Sequence, residues 1–312
     1  MNNYFKTLDD QINILKNRGL IINDENEAKS ALLRYNYFKI VNATYDFFIE
    51  RDGNKIKYRE GTDFEDLMDV HNFDKELKKI LLASMLEVER ILRSIISYKF
   101  INKYPKEDDY LNPKNYSHEN KEFIIVNIDS IKDVISKYES EDNFNRTMKY
   151  YTKKYSTIPL WFVINFISFG KLVNIYETLD HELKEDIADE FQLFLEENLG
   201  ESIEGHITPS QLFSFIDNAK EIRNISAHDN LIIGHKFPNI AYFEPIHSKY
   251  GVKGHDRTSL YDTVVILKAL LPKDEFDKLE NQIKKNINEL ETLVDRKAFN
   301  MIIKKIGLDK YK

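Results

Sequence analysis

Residues 222–230 read IRNISAHDN and place Arg223, Asn224 and His228 within six positions. These residue types suffice for metal-free RNA cleavage. Histidine changes charge near neutral pH, so it can take a proton from one oxygen and return one to another. Arginine stays charged and grips phosphate through two parallel N–H donors. In such a reaction a base removes the 2′-OH proton and an acid protonates the leaving 5′-oxygen. A cation stabilises the charge that develops at the phosphorane. Asn224 carries both a donor and an acceptor with which to orient the scissile phosphate or His228. Its competing role is an ordinary hydrogen bond to a helix carbonyl.

The spacing alone is weak. With 10 Arg and 8 His in 312 residues, roughly one such sequence in four carries an Arg-x4-His by chance. A structural reading also fits: Arg223 pairs with Glu221 or Asp217, and His228 caps a helix C-terminus, where the dipole favours cations. On an ideal helix five residues turn through about 500°, leaving the two side chains roughly 140° apart. For them to meet, the helix must end near Ser226–Asp229, distort locally, or face a second copy of itself.

The elements that would hold these residues are helical. Thr208-Pro209-Ser210-Gln211 is a capping box with proline at the first helical position, and Leu212, Phe215, Ile216, Ala219 and Ile222 follow as an apolar stripe. Arg223 and His228 lie at the far end of that helix. Thr62-Asp63-Phe64-Glu65 opens a periodic run to Ile95, and no Gly or Pro interrupts residues 62–104. One very long helix, or two nearly collinear ones, is expected there. Further helices are expected at 119–138, 142–153, 160–178, 180–198, 259–270 and 273–293, and another opens at Thr7. Residues 105–118 read as a polar connection. Residues 234–258, with three Gly, two Pro and three His, read as a long loop with a short hairpin around Ile240–Phe243. The chain ends in a Lys-rich tail, KKIGLDKYK.

Hydrophobic residues make up 42% and charged residues 31%, while Gly (10) and Pro (7) are scarce, which favours regular structure over a turn-rich β fold. The net charge of -7 confines any nucleic-acid contact to a local basic surface. Zero cysteines exclude disulfides, zinc-thiolate sites and thiol catalysis. His247-x7-His255 lacks carboxylate company, so no metal and no cofactor is expected. The most apolar stretch, LWFVINFISFG, is too short to span a bilayer, and MNNYFKTLDDQ has no secretory pattern. No membrane association and a cytoplasmic location are therefore expected. The segment RTMKYYTKKY interleaves cations with tyrosines, as a single-strand binder would, although a solvated helix face explains it as well.

The string IRNISAHDN resembles the Arg-Asn-x-x-x-His signature of the HEPN superfamily. Other blocks resemble one branch, the Abi-2 (AbiD/AbiF-like) abortive infection group. In order these are DQINILKNRGL, LLRYNYFKIVNATYDFF, HNFDKELKKILLASMLEVERILRSIISYKF, YLNPKNY and KYSTIPLWFVINFISFGKL. They span most of residues 7–306 and are far more specific than the pair of catalytic residue types. The chain departs from the pattern at Asn165, where a Glu is expected, and at Ile232 or Ile233, where a Trp is common. The resemblance implies an all-α HEPN-type bundle with additional N- and C-terminal helices, read as a single elaborated domain over 1–312 (N-terminal helices 1–60, bundle core 61–230, loop and C-terminal helices 231–312). It implies a metal-independent endoribonuclease of phage defence or a toxin, with Arg223, Asn224 and His228 as site residues. Composite HEPN sites pair two motifs, so a homodimer is expected, with RNA as substrate and a structured noncoding RNA as regulator. The alternative is a non-catalytic protein that holds such an RNA. Glu89 and Arg93, one helical turn apart, read as a salt bridge that supports the bundle.

Overall fold

Side-chain caps decide where most helices of this chain begin. In the computed structural model, which describes residues 5–52, 55–139, 150–151, 154, 157–252 and 254–311, the architecture is all-α. Helix α1 (Leu8–Asn17) opens on a reciprocal cap between Thr7 and Asp10, and α2 (Glu25–Tyr35) opens on Asp24. A two-stranded antiparallel hairpin follows, β1 (Ile49–Asp52) with β2 (Lys55–Tyr58), which sequence periodicity does not reveal.

Helix α3 (Phe64–Lys103) is a single uninterrupted helix of 40 residues, about 60 Å long. Its cap is set one residue later than the sequence pattern indicates: Asp63 and Asp66 cap each other, rather than Thr62 and Glu65. Thr62 is engaged elsewhere, its carbonyl accepting the Ile21 N–H at 3.0 Å. Helix α4 (Lys121–Glu139) agrees with expectation. The helix expected at 142–153, and most of RTMKYYTKKY, lie outside the described residues.

The apolar helix expected at 160–178 is broken. It comprises α5 (Leu160–Val163), a 3-10 turn over Ile164–Phe166, an extended Ile167, and α6 (Phe169–Thr178). The break is braced from α3. Arg93 pairs with Glu89 and also donates to the Ile167 carbonyl at 2.6 Å, satisfying a group that the break frees. Glu89–Arg93 is thus the expected salt bridge, with a second task.

Helices α7 (His181–Leu199) and α8 (Pro209–Ala227) follow the sequence reading; α8 carries the reciprocal Thr208–Gln211 cap with Pro209 behind it. No hairpin forms at Ile240–Phe243; the described part of 234–258 instead contains the short helix α9 (Glu244–Lys249). Then come α10 (Leu260–Ile266) and α11 (Lys273–Leu293). Ahead of the Lys-rich tail, and taking in its first three residues, α12 (Arg296–Ile306) buries Phe299, Ile302, Ile303 and Ile306. Lys304 and Lys305 lie on the face opposite that stripe, which hides an amphipathic helix in a basic sequence.

Helix α3 is the axis of the bundle. It packs along both α8 and α11, and α7 closes against α3 and α8. Leu67, Leu77, Leu81, Met85, Val88, Leu92 and Ile96 of α3 are fully buried. The core therefore fixes α8, and with it Arg223, against a rigid neighbour.

Candidate active site

The core face of α8, built on Leu212, Phe215, Ile216, Ala219 and Ile222, is wholly buried. Arg223, next in line, is half-buried beside that stripe. Neither carboxylate that could have neutralised it does so. Asp217 pairs with Lys220, and Glu221 lies 3.4 Å from His235 Nε2. Arg223 donates from Nη1 to Asn224 Oδ1 at 3.4 Å, while its Nε is buried without a partner. A guanidinium at the core edge that pairs with no carboxylate among the described residues is costly for the fold. Such costs persist where a residue is kept for an external anion.

His228 stands where α8 stops. It is the C-cap residue, with φ -92° and ψ 9°, and its ring is exposed. Its N–H donates to the Asn224 carbonyl at 3.0 Å. Asn224 therefore touches both motif partners, Arg223 through its side chain and His228 through its main chain. The next residue, Asp229, has φ 53°, and the Asn230 N–H closes the end on the Ile225 carbonyl at 3.0 Å. Aspartate tolerates this left-handed conformation better than most residues other than glycine. His228 thus keeps the helical bond of its own N–H, and the chain leaves the helical path at Asp229, directly after it.

A charge relay of four residues holds this corner. Lys78 of α3 pairs with Asp74 one turn earlier at 3.0 Å and also with Asp229. The Asp74 and Lys78 side chains are only 2% and 6% exposed, so each needs the other. Lys39 also binds Asp229, through its carboxylate and, at 2.9 Å, through its carbonyl. Asp74 also accepts the N–H groups of Ile232 and Ile233 at 3.0 and 3.2 Å. Residues 229–233 are therefore tied to α3 immediately after His228. Burial pushes the Asp229 carboxyl up, but the hydrogen bonds from Lys39 and Lys78 outweigh it and hold the group below its ordinary range. Burial pulls Lys78 down, and Asp229 and Asp74 more than reverse this.

His71, one turn before Asp74, is buried against the Tyr35 ring at 4.8 Å, and its Nε2 has no hydrogen-bond partner. Burial, followed by the charge of Lys78, holds its pKa below the ordinary imidazole value. Lys75 lies over the other participant, with Nζ 4.9 Å from the Tyr35 centroid. Lys39, His71, Asp74, Lys78 and Asp229 form no short-range motif in the sequence. The available signal was polar residues at 71, 74 and 78, on the core face of a helix that buries Val70, Phe73, Leu77 and Leu81. Asn165, one of the departures from the family pattern, is exposed and donates to the Trp161 carbonyl at 2.9 Å. Ile232 is buried, with its N–H on Asp74.

Among the described residues there is no group of His, Asp and Glu arranged to hold a metal ion, and no helix is long and apolar enough to cross a membrane. A family model described as Abi-like protein matches residues 30–233, from within α2 to just past the corner that holds His228. Comparison with curated proteins and with solved structures gives no match.

Proposed function

The chain belongs to the Abi-like protein family, and from that premise we propose that it is a metal-independent endoribonuclease that cleaves single-stranded RNA in phage defence. The observation that carries this reading is the pairing of opposites at the end of α8. A half-buried guanidinium, in no ion pair among the described residues, sits five residues before an exposed histidine that is followed at once by Asp229, which Lys39 and Lys78 both hold.

Arg223 binds the scissile phosphate and stabilises the charge that builds on its oxygens. Asn224 keeps Arg223 in place and is within reach of the same phosphate. His228 moves protons. The 2′-oxygen loses its proton and attacks phosphorus, the 5′-oxygen leaves with a proton, and the products carry a 2′,3′-cyclic phosphate and a 5′-OH. One imidazole cannot be base and acid in the same step. Each chain has a single Arg-x4-His. A homodimer in which two HEPN-type motifs face each other supplies both groups, and the exposed position of His228 leaves it free to meet its counterpart.

The test uses RNA binding and cleavage with Arg223→Ala and His228→Ala. The reading predicts that His228→Ala still binds single-stranded RNA while cleavage falls about 10²-fold or more, and that Arg223→Ala loses both. Tight binding without cleavage by the wild-type protein would instead identify a protein that holds a structured noncoding RNA.

A further inference from the structure

A cationic cavity with no α8 residue in its lining lies where α10, α11 and the C-terminal residues meet. Its volume is about 260 Å³. Lys268, Lys284 and Lys310 line it, with Glu280 as the acidic member. Tyr250, Tyr261 and Tyr311 form ring walls.

Lys268 is the informative residue. It is 7% exposed, and among the described residues it meets ring faces rather than a carboxylate. Its Nζ lies 3.8 Å from the Phe276 centroid and 4.9 Å from that of Tyr250. The nearby carboxylates are committed elsewhere: Glu280 pairs with Lys284 at 2.7 Å and Asp277 with Lys273 at 3.1 Å. Cation–π contact offsets only part of the cost of burying an ammonium. Burial lowers the Lys268 pKa, in keeping with an ammonium that lacks a full counter-charge. Lys310 spends one donor on the Gly251 carbonyl at 2.9 Å and stands 4.8 Å from the Tyr261 centroid. It keeps further donors for a ligand.

We propose that this cavity is a binding site for a small phosphate monoester, with its phosphate held by Lys268 and Lys310 and its organic part against the tyrosine walls. Charge selects the class. Three lysines against one glutamate leave two positive charges at the cavity, which a monoester dianion matches and a phosphodiester monoanion does not. Size points the same way, because the volume falls just below the range of about 300–1,000 Å³ usual for ligand clefts. Neither Arg223 nor His228 lines the site, and the proposal stands whether or not these cleave RNA.

Calorimetric titration of the full chain with adenosine 5′-monophosphate, and with the diester adenylyl-adenosine as control, tests this. The monophosphate should bind, and the diester about tenfold more weakly or less. Lys268→Met and Lys310→Ala should each cost about tenfold in monophosphate affinity. His228→Ala should leave that affinity unchanged. Without ligand, Lys268→Met should melt no lower than wild type, since it replaces an incompletely compensated buried charge with a chain of similar length. Absence of monophosphate binding, affinity that ignores both lysine variants, or equal affinity for the diester would overturn the proposal.

Discussion

Arg223 and His228 sit five positions apart but experience different surroundings, and substitutions should separate them. Arg223 is half-buried with an unpartnered Nε, so its guanidinium geometry matters as much as its charge. Arg223→Lys retains the charge but loses the planar fork, and cleavage should fall about tenfold or more while the melting temperature holds. Full activity in that variant would mean that Arg223 acts as a point charge only. Asp229→Asn is the complementary probe. It keeps the shape and the left-handed tolerance while removing the charge that Lys39 and Lys78 share. Cleavage should drop, with RNA binding largely kept, because His228 loses its brace. The sign of the pH effect follows from a depressed carboxyl. The ion pairs contribute above the ordinary aspartate value of about 3.9 and are lost as pH falls through the lower folded value. Wild type and Asp229→Asn should therefore differ in melting temperature at pH 7 and converge in strong acid. Arg223, Asn224 and His228 stand out in the sequence as candidates because residue type and short spacing suggest their chemistry. Lys78 and Lys39 were not, because they reach Asp229 across 151 and 190 positions of sequence.

At the scale of elements, α3 does more than fill the core. Its Asp74–Lys78 pair is buried, and Asp74 anchors the chain leaving the motif. Lys78→Met removes the cation and leaves the Asp74 carboxylate buried on backbone N–H groups alone. The expected loss is about 3–5 kcal/mol, measured by denaturant unfolding. Adding Asp74→Asn should recover much of it, because the stranded charge goes with it. A single-variant loss below about 0.5 kcal/mol would class the pair with surface ion pairs. Elements with strong local signals were readable: α3 from its unbroken period, α8 from its capping box, α7 from its amphipathic pattern. The break at Ile167 was not, since it depends on Arg93 arriving from another helix. Helix α12 is harder to read because it is short and runs into the Lys-rich tail, although its apolar stripe does the packing.

The whole molecule carries a pH signature independent of catalysis. His71 is 5% exposed and His247 fully buried, with Nδ1 2.8 Å from the Phe243 carbonyl. Burial holds both below the ordinary imidazole value. The unfolded chain, titrating near 6.5, then binds protons at a higher pH than the folded one. Stability should be flat above about pH 6.5 and fall as the pH drops below it. The double variant His71→Asn/His247→Gln should flatten that slope between pH 7.5 and 5.5 in thermal unfolding. An unchanged slope would assign it to other groups. The bundle architecture was legible from helical periodicity and scarce glycine, whereas the closing of α3 around residues 229–233 is a property of the folded chain alone.

The central claim, that the corner at the end of α8 cleaves RNA without metal, has one direct test. A labelled single-stranded RNA of mixed sequence is incubated in EDTA with wild-type protein and, in parallel, with His228→Ala. The account predicts cleavage by wild type alone, with 2′,3′-cyclic phosphate and 5′-OH ends. Equal cleavage by the variant, or wild-type cleavage that EDTA abolishes, would contradict it.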